Sequence, residues 1–238
     1  MRLVIALAIM VFSGVVYGGS TETYIPEKAK KYLPVLLEEI DRLFPDHPYK
    51  AYFPALIEQE SCIHLKHKRC WDPSSELKTS REQGVGLGQL TRTLRKNGSL
   101  RFDKLQELRR AHKEELHELT WSNIKKRPDL QIRAIILLYR DNWKRIPGQV
   151  KDIISKMAMT DLSYNAGLGR VYKNRRVCGL AADCDPNIYF DNVERYCTAS
   201  KRKLYGNRSA CDIMKDHVEK TLLRRNFKYH KFLKDQSL

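Results

Sequence analysis

The sequence has no apolar run long enough for a typical membrane-spanning helix. Its longest uncharged apolar run, Leu3–Val16, covers about 14 residues, whereas a helix that crosses a bilayer needs about 20. Arg2 precedes this run and two small residues, Gly18 and Gly19, follow it, which is the pattern of a secretory signal peptide. We therefore predict that residues 1–18 direct export to the periplasm or the extracellular space. An uncleaved N-terminal anchor is the alternative.

The Cys-x2-Cys spacing that is typical of zinc sites is also absent. All six cysteines lie after the predicted signal peptide, and an even number of cysteines in an exported chain indicates disulfide bonds. Because six cysteines can pair in many ways, spacing does not fix the connectivity. We predict that sequence neighbours pair: Cys62 with Cys70, Cys178 with Cys184, and Cys197 with Cys211. A zinc site that also uses His64 and His67 is the rival interpretation; we expect no metal.

Acidic residues are scarce relative to basic ones. The chain has 28 Asp and Glu against 44 Lys and Arg, so its formal net charge is +16, and Arg2 is the one charged residue of the predicted signal. Such a charge favours a polyanionic partner. The basic residues are spread along the whole chain and no nucleic-acid-binding motif is present, which argues against nucleic acid. We predict that anionic polymers of the cell envelope attract and retain the protein.

The sequence shows no strand-like alternation, internal repeat or low-complexity linker. We therefore predict a mainly α fold, with an N-terminal helical segment at residues 19–50 and a single principal domain at residues 51–238. Charged residues with interspersed leucines predict an inserted helical stretch at about residues 100–121. The other helices are predicted at 26–44, from 52 to about 60, 129–143, 150–162, from 185 to about 204, and 210–232, the last strongly basic.

One candidate catalytic residue stands at the end of an apolar helical pattern. In Ala55–Ser61 (Ala-Leu-Ile-Glu-Gln-Glu-Ser), Glu60 continues a stripe that contains Tyr52 and Leu56. Cleavage of a glycosidic bond needs an acid that is protonated near neutral pH, and apolar surroundings favour the protonated carboxyl group. The residues therefore predict that Glu60 is a general acid.

Two further stretches would serve such a site. Gly84–Gln89 (Gly-Val-Gly-Leu-Gly-Gln) is a glycine-rich turn that can bring backbone close to a ligand, and it is not a dinucleotide-binding fingerprint because no parallel-sheet unit surrounds it. Ser163–Arg170 (Ser-Tyr-Asn-Ala-Gly-Leu-Gly-Arg) supplies polar and aromatic groups where a helix is expected to end at glycine.

Together and in this order, the three stretches resemble the motifs of the soluble lytic transglycosylase and goose-type lysozyme group. The resemblance covers about residues 52–205 and implies a lysozyme-like single domain with a glycan-binding cleft. It implies cleavage of the β-1,4 bond between N-acetylmuramic acid and N-acetylglucosamine in peptidoglycan, without a cofactor, by a protein that we expect to be monomeric. Glu60 matches the acid/base of the family. The positions that match its substrate-binding residues are Ser61, Gln89, Tyr164, Asn165 and Tyr196.

The sequence departs from the family pattern at three places. Gly88 stands where the family commonly has Met, which predicts a wider subsite. The Glu and Thr that usually precede the tyrosine matched by Tyr196 are absent. The interval between Gln89 and Ser163 is long, in agreement with an insertion at about residues 100–121.

The reaction type depends on whether a second carboxylate takes part. A lytic transglycosylase would use Glu60 alone, first as acid and then as base, and would release 1,6-anhydro sugars with the help of the substrate's own acetamide. A hydrolytic goose-type lysozyme would hold a water with a second carboxylate, for which Asp72, Glu76 and Glu82 are the candidates. A non-catalytic envelope-binding protein on the same fold is the second alternative. We predict the transglycosylase, acting on peptidoglycan glycan strands.

Overall fold

A computed structural model describes residues 23–235, apart from the side chains of residues 204 and 205. The predicted signal peptide lies outside the described residues. Within residues 23–235, no helix is long and apolar enough to cross a membrane.

The described chain is rich in helices and contains two small antiparallel sheets. The helices are α1 (Glu27–Leu43), α2 (Tyr52–Ser61), α3 (Lys104–Ala111), α4 (Lys113–Leu116), α5 (Pro128–Arg145), α6 (Ile153–Ala166), α7 (Leu168–Cys178), α8 (Ala210–Glu219) and α9 (Asn226–Asp235). The strands are β1 (Glu76–Lys78), β2 (Glu82–Val85), β3 (Leu90–Leu94), β4 (Leu100–Asp103), β5 (Lys203–Tyr205) and β6 (Arg208–Ser209). Short 3₁₀ turns lie at Ile124–Lys126 and Val193–Tyr196, and a π-helical segment, Lys220–Arg225, joins α8 to α9.

The helices of the core follow the apolar periodicity of the sequence. In α1, the residues Leu33, Leu36 and Ile40 are buried at three- and four-residue spacing, and this face packs against α2 and α5. Helix α5 buries residues on most of its sides, including Ile132 and Ile135, and it contacts α1, α3, α4 and α6. The prediction of a central helix in this region is confirmed.

The mainly α prediction holds for most of the described chain, but the structure adds strands that the sequence pattern does not reveal. Strands β1 to β4 form one antiparallel sheet in sequence order. They are three to five residues long and mostly polar, so the two-residue alternation that identifies a strand has no length in which to develop. One local signal was available: Asn97-Gly98, typical of hairpin turns, lies between β3 and β4, where Gly98 has φ +81°.

Two predicted helices are corrected by the structure. The stretch predicted as an inserted helix begins with β4, and α3 starts only after Asp103, whose carboxylate accepts the backbone N–H of Gln106 at 2.9 Å. The predicted helix from Asp185 to about residue 204 does not form. The Asp185 carboxylate instead accepts the backbone N–H of Asn187 at 2.8 Å, which closes a turn, and Val193–Tyr196 is a single 3₁₀ turn.

The basic C-terminal helix is confirmed, with an interruption. Ser209 and Asp212 form a capping box that starts α8, and the π-helical segment lies before α9. This region packs along α2, which carries Glu60. The C-terminal part of the chain therefore forms one wall of the candidate site.

Three disulfides join the six cysteines: Cys62 with Cys70, Cys178 with Cys184, and Cys197 with Cys211. These are the predicted neighbour pairs. The first holds the loop after α2 against the end of that helix. The disulfides indicate an oxidising, exported environment.

Candidate functional site

Glu60 lies in the last turn of α2 and retains limited access to solvent. Residues Tyr52 to Glu58 of this helix are buried, whereas the side chain of Glu60 is 13% exposed. Glu58, two residues earlier, is 1% exposed. Of the two glutamates on this helix, Glu60 is the one that a ligand can reach.

One carboxylate oxygen of Glu60 is held by a histidine from the C-terminal region. The Nε2 atom of His217, on α8, lies 2.8 Å from Glu60 Oε1, and its Nδ1 atom lies 2.7 Å from Asp161 Oδ2 on α6. The hydroxyl of Tyr52 donates to the other oxygen of Asp161 at 2.6 Å. His217 and Asp161 are 4% and 0% exposed. A series of hydrogen bonds therefore runs from the interior to the edge of the site, through Tyr52, Asp161, His217 and Glu60.

The charge of His217 follows from its two partners. Burial acts to lower the pKa of the imidazole, but the adjacent carboxylates of Asp161 and Glu60 outweigh it and raise the His217 pKa to about 10. The ring is then doubly protonated at neutral pH and donates from both nitrogens. Glu60 thus faces a fixed positive charge.

Glu58 is committed to a separate buried network. Lys228 donates to both oxygens of its carboxylate at 2.7 and 2.8 Å, the Tyr229 hydroxyl donates at 2.8 Å, and Arg225 forms an ion pair at 3.0 Å. These contacts attach α9 and the π-helical segment to α2. Glu58 therefore acts as a structural anchor beside the candidate acid.

The glycine-rich stretch forms the turn between β2 and β3, and it is attached to α5. Gly86 has φ +86°, and a Cβ atom there would lie 2.3 Å from Gln131 Oε1. That oxygen accepts the backbone N–H of Leu87 at 2.8 Å. The side chain of Gln89 turns back and donates to Gly86 O at 2.9 Å, and it remains half-buried. The turn requires glycine because both its backbone conformation and its close approach exclude a side chain.

Tyr164 connects this turn to the end of α6. Its hydroxyl donates to Gly88 O at 2.9 Å. Burial, followed by the charge of Glu60, raises the pKa of the Tyr164 hydroxyl well above its usual range. Asp161, which is joined to Glu60 through His217, lies about one turn before Tyr164 on the same helix. Glu60, the Gly84–Gln89 turn and the end of α6 therefore belong to one neighbourhood.

The expected wider subsite at Gly88 is not found. A Cβ atom at this position would lie 2.4 Å from Ile135 Cγ1 and 2.5 Å from the Tyr164 hydroxyl oxygen. The volume that a side chain would occupy is filled by these two residues. Gly88 allows close packing and opens no space.

The other predicted substrate-binding residues lie in different settings. Ser61 is buried, and its hydroxyl donates to Ile57 O at 2.7 Å and accepts the Trp71 backbone N–H at 3.1 Å, so it organises the loop after α2. Asn165 is exposed at the end of α6. The Tyr196 hydroxyl donates to Asp183 at 2.9 Å, in the loop that the Cys178 disulfide closes. Substrate contacts by these three residues remain predictions.

The three candidate second carboxylates lie on the loop and sheet that follow α2. Asp72 pairs with Lys28 at 2.8 Å; burial opposes but does not cancel the effect of Lys28 and Ser74, and the Asp72 pKa is lowered. Glu76 binds Lys125 and Gln83, which lower its pKa. Glu82 is exposed at the start of β2. Lys28 and Lys125 thus already compensate two of these charges.

A cavity beside the loop after α2 does not include Glu60. A cavity of about 380 Å³ is lined by Asp72 and Glu76 together with Lys28 and Arg69, and Glu60 is not among its lining residues. Glu60 is the stronger candidate, because the two carboxylates that line this cavity already pair with Lys28 and Lys125. Within the described part of the chain, no cluster of three His, Cys, Asp or Glu side chains could hold a metal ion. The glycan cleft remains a prediction.

Two central residues of the site, His217 and Asp161, were missed by the sequence analysis. Asp161 left a weak signal, because it interrupts an apolar run in α6 that includes Met157 and Leu162. His217 is a single histidine 157 residues from Glu60, and nothing in its own segment indicates the contact.

Comparison with known proteins adds no relative from which a role could be transferred. No protein-family model matches the sequence, and no curated protein matches it.

Proposed function

We propose that this protein is a peptidoglycan-cleaving enzyme in which Glu60 is the catalytic acid and base. The observation that carries the proposal is a partly exposed carboxylate, anchored through one oxygen, beside two segments that resemble the other motifs of the lytic transglycosylases. The substrate is the glycan strand, and the bond cleaved is the β-1,4 bond between N-acetylmuramic acid and N-acetylglucosamine.

Glu60 has the geometry that proton transfer requires. Oε1 is held by His217, and Oε2 has no hydrogen bond assigned within the described residues, so Oε2 is the oxygen that can exchange a proton with substrate. In the first step, Oε2–H protonates the glycosidic oxygen while the bond to C1 breaks. In the second step, the Glu60 carboxylate removes the proton of the 6-hydroxyl, whose oxygen then bonds to C1.

The surroundings of Glu60 favour the non-hydrolytic reaction. A hydrolase would need a second carboxylate that is free to hold a water opposite Glu60. Asp161, which reaches Glu60 through His217, is fully buried, and Asp72 and Glu76 are bound to lysines. Glu82, exposed at the start of β2, is the one of the three candidates that has no ion pair among the described residues. The acetamide of the substrate can stabilise C1 without such a partner, so we propose release of 1,6-anhydromuramic acid ends.

The chemistry is tested by mass spectrometry of purified sacculi digested with the mature protein. We expect fragments that end in anhydro sugars, and no release by Glu60→Gln. Fragments heavier by the mass of one water would establish a hydrolase instead. Binding to sacculi without release of any fragment would establish the non-catalytic alternative.

A second set of variants tests whether another carboxylate takes part. Asp72→Asn, Glu76→Gln and Glu82→Gln should each lower the rate less than about tenfold if Glu60 works alone. A loss on the order of 10²-fold or more in one of them would identify a residue that orients water.

A further inference from the structure

We infer that His217, held in place by Asp161, is the positioning residue of Glu60: it fixes Oε1 as an acceptor, leaves Oε2 to the substrate, and stabilises the carboxylate that remains after the proton has been donated. This inference rests on the proposed function and identifies the part of the C-terminal region that serves it.

The geometry assigns one orientation to the ring. The Nδ1 atom lies 2.7 Å from an oxygen of Asp161 on α6, and the Nε2 atom lies 2.8 Å from an oxygen of Glu60 on α2. Rotation of the ring about its Cβ–Cγ bond would therefore break two hydrogen bonds at once. The Asp161 carboxylate is itself fixed by Tyr52. Thr221 donates to His217 O at 2.8 Å and secures the backbone one turn later. Glu60 is consequently bound to a side chain that is itself held on both sides of its ring.

The charged groups that contact the ring come from two helices. Two carboxylates face it, Glu60 from α2 and Asp161 from α6. Four tyrosines lie within electrostatic reach of Asp161 and stay neutral, because burial first and then a nearby carboxylate raise their pKa. The carboxylate is Asp161 for Tyr52 and Tyr139, Glu60 for Tyr164 and Glu194 for Tyr189. The imidazolium is therefore the cation that balances Glu60 when Glu60 is ionised.

This arrangement makes the two oxygens of Glu60 unequal and affects the acid step most. Because both nitrogens of His217 donate, Oε1 accepts in either protonation state of Glu60, and the exchangeable proton is carried on Oε2. When Oε2–H protonates the leaving oxygen, negative charge develops 2.8 Å from a preorganised N–H donor. The cation therefore promotes bond cleavage, and its removal should change both the rate and the pH dependence of the rate.

The two effects give the inference a distinctive signature in His217→Gln. Loss of the cation should lower kcat on a soluble glycan strand by about 10- to 100-fold, with KM changed less than about twofold. Removal of a positive charge that lies 2.8 Å from Glu60 should also move the alkaline limb of the kcat profile to higher pH, by about one pH unit. A residue that only supports the fold would lower the rate without moving this limb.

Glu58→Gln is the matched control. Like His217→Gln, it replaces one charged member of a buried ion pair by a neutral amide, and Glu58 lies on the same helix as Glu60. It should destabilise the fold and leave the alkaline limb in place. His217→Asn removes the same cation with a shorter amide and should move the limb in the same direction as His217→Gln, which keeps the inference testable if one of the two variants folds poorly. An unchanged limb in both folded variants would overturn it.

The charge of the ring is measured independently of activity by NMR of the ¹⁵N-labelled protein. At about pH 8, well above the ordinary histidine pKa of about 6.5, the signal that is absent from His217→Gln should be that of an imidazolium. A neutral ring at that pH would overturn the inference even in an active enzyme. If the ring is charged but sacculi are not cleaved, the proposed function fails, and the catalytic role of His217 fails with it.

Discussion

Replacement of Gly88 by alanine tests the packing that joins the glycine-rich turn to α5 and α6. The new Cβ atom would lie 2.4 Å from Ile135 Cγ1 and 2.5 Å from the Tyr164 hydroxyl oxygen, closer than such atoms can approach. Ile135 is fully buried in the central helix, so it cannot move aside without disturbing the core. The turn must therefore shift.

The expected cost follows from these two contacts. Overpacking of a filled site costs about 1–3 kcal/mol. If the turn moves, the hydrogen bond from Tyr164 to Gly88 O is also lost, at about 1 kcal/mol. We expect Gly88→Ala to lower the free energy of unfolding by about 2–4 kcal/mol in total.

Urea denaturation of wild type and variant measures this difference. Gly148→Ala is the control, because a Cβ atom there meets nothing within 4 Å. It should change the unfolding free energy by less than about 1 kcal/mol. Equal stability of Gly88→Ala and Gly148→Ala would refute the packing argument and restore the prediction of open space at Gly88.

Four further predictions concern the site, the charge and the disulfides. Glu60→Gln should keep the fold, because the amide oxygen can still accept a hydrogen bond from His217, and it should lower the rate of sacculus clearance by more than about 10²-fold. A small loss would mean that another residue is the acid. Glu58 is poorly placed for that role because it is bound by Lys228. The pKa of His217 is raised to about 10 in the folded state, so its contribution to stability should be complete below the pKa of the unfolded state and should be lost as pH rises towards 10. Thermal unfolding of wild type, but not of His217→Gln, should show this loss. Thiol titration of the unfolded, unreduced protein should detect no free cysteine; two or more would contradict the three disulfides. Activity on whole sacculi should fall as salt is raised, since attraction between exposed charges is screened over about 8 Å near physiological salt, while activity on a short neutral glycan should stay constant; equal sensitivity on both substrates would place the effect in the active site.

The sequence by itself determined the elements whose signal is local and repeated. Apolar residues at three- and four-residue spacing predicted α1 and α5, because a helix that buries one face must repeat that spacing. Proximity in sequence led to the three disulfide pairs. The position of Glu60 at the end of an apolar stripe identified the candidate acid, and glycines marked the turn beside it.

Only the tertiary structure decided the features that depend on distant partners. Strands β1 to β4 are too short to carry a periodic signal, and they are stabilised by pairing with one another. The contact between Glu60 and His217 joins residues 157 positions apart, and Asp161 fixes the charge and direction of that histidine. On its own segment, each of the side chains of Glu60, His217 and Asp161 could have several partners. Burial of the three together determines the pairing, because in a low-dielectric interior a carboxylate and an imidazole must be paired.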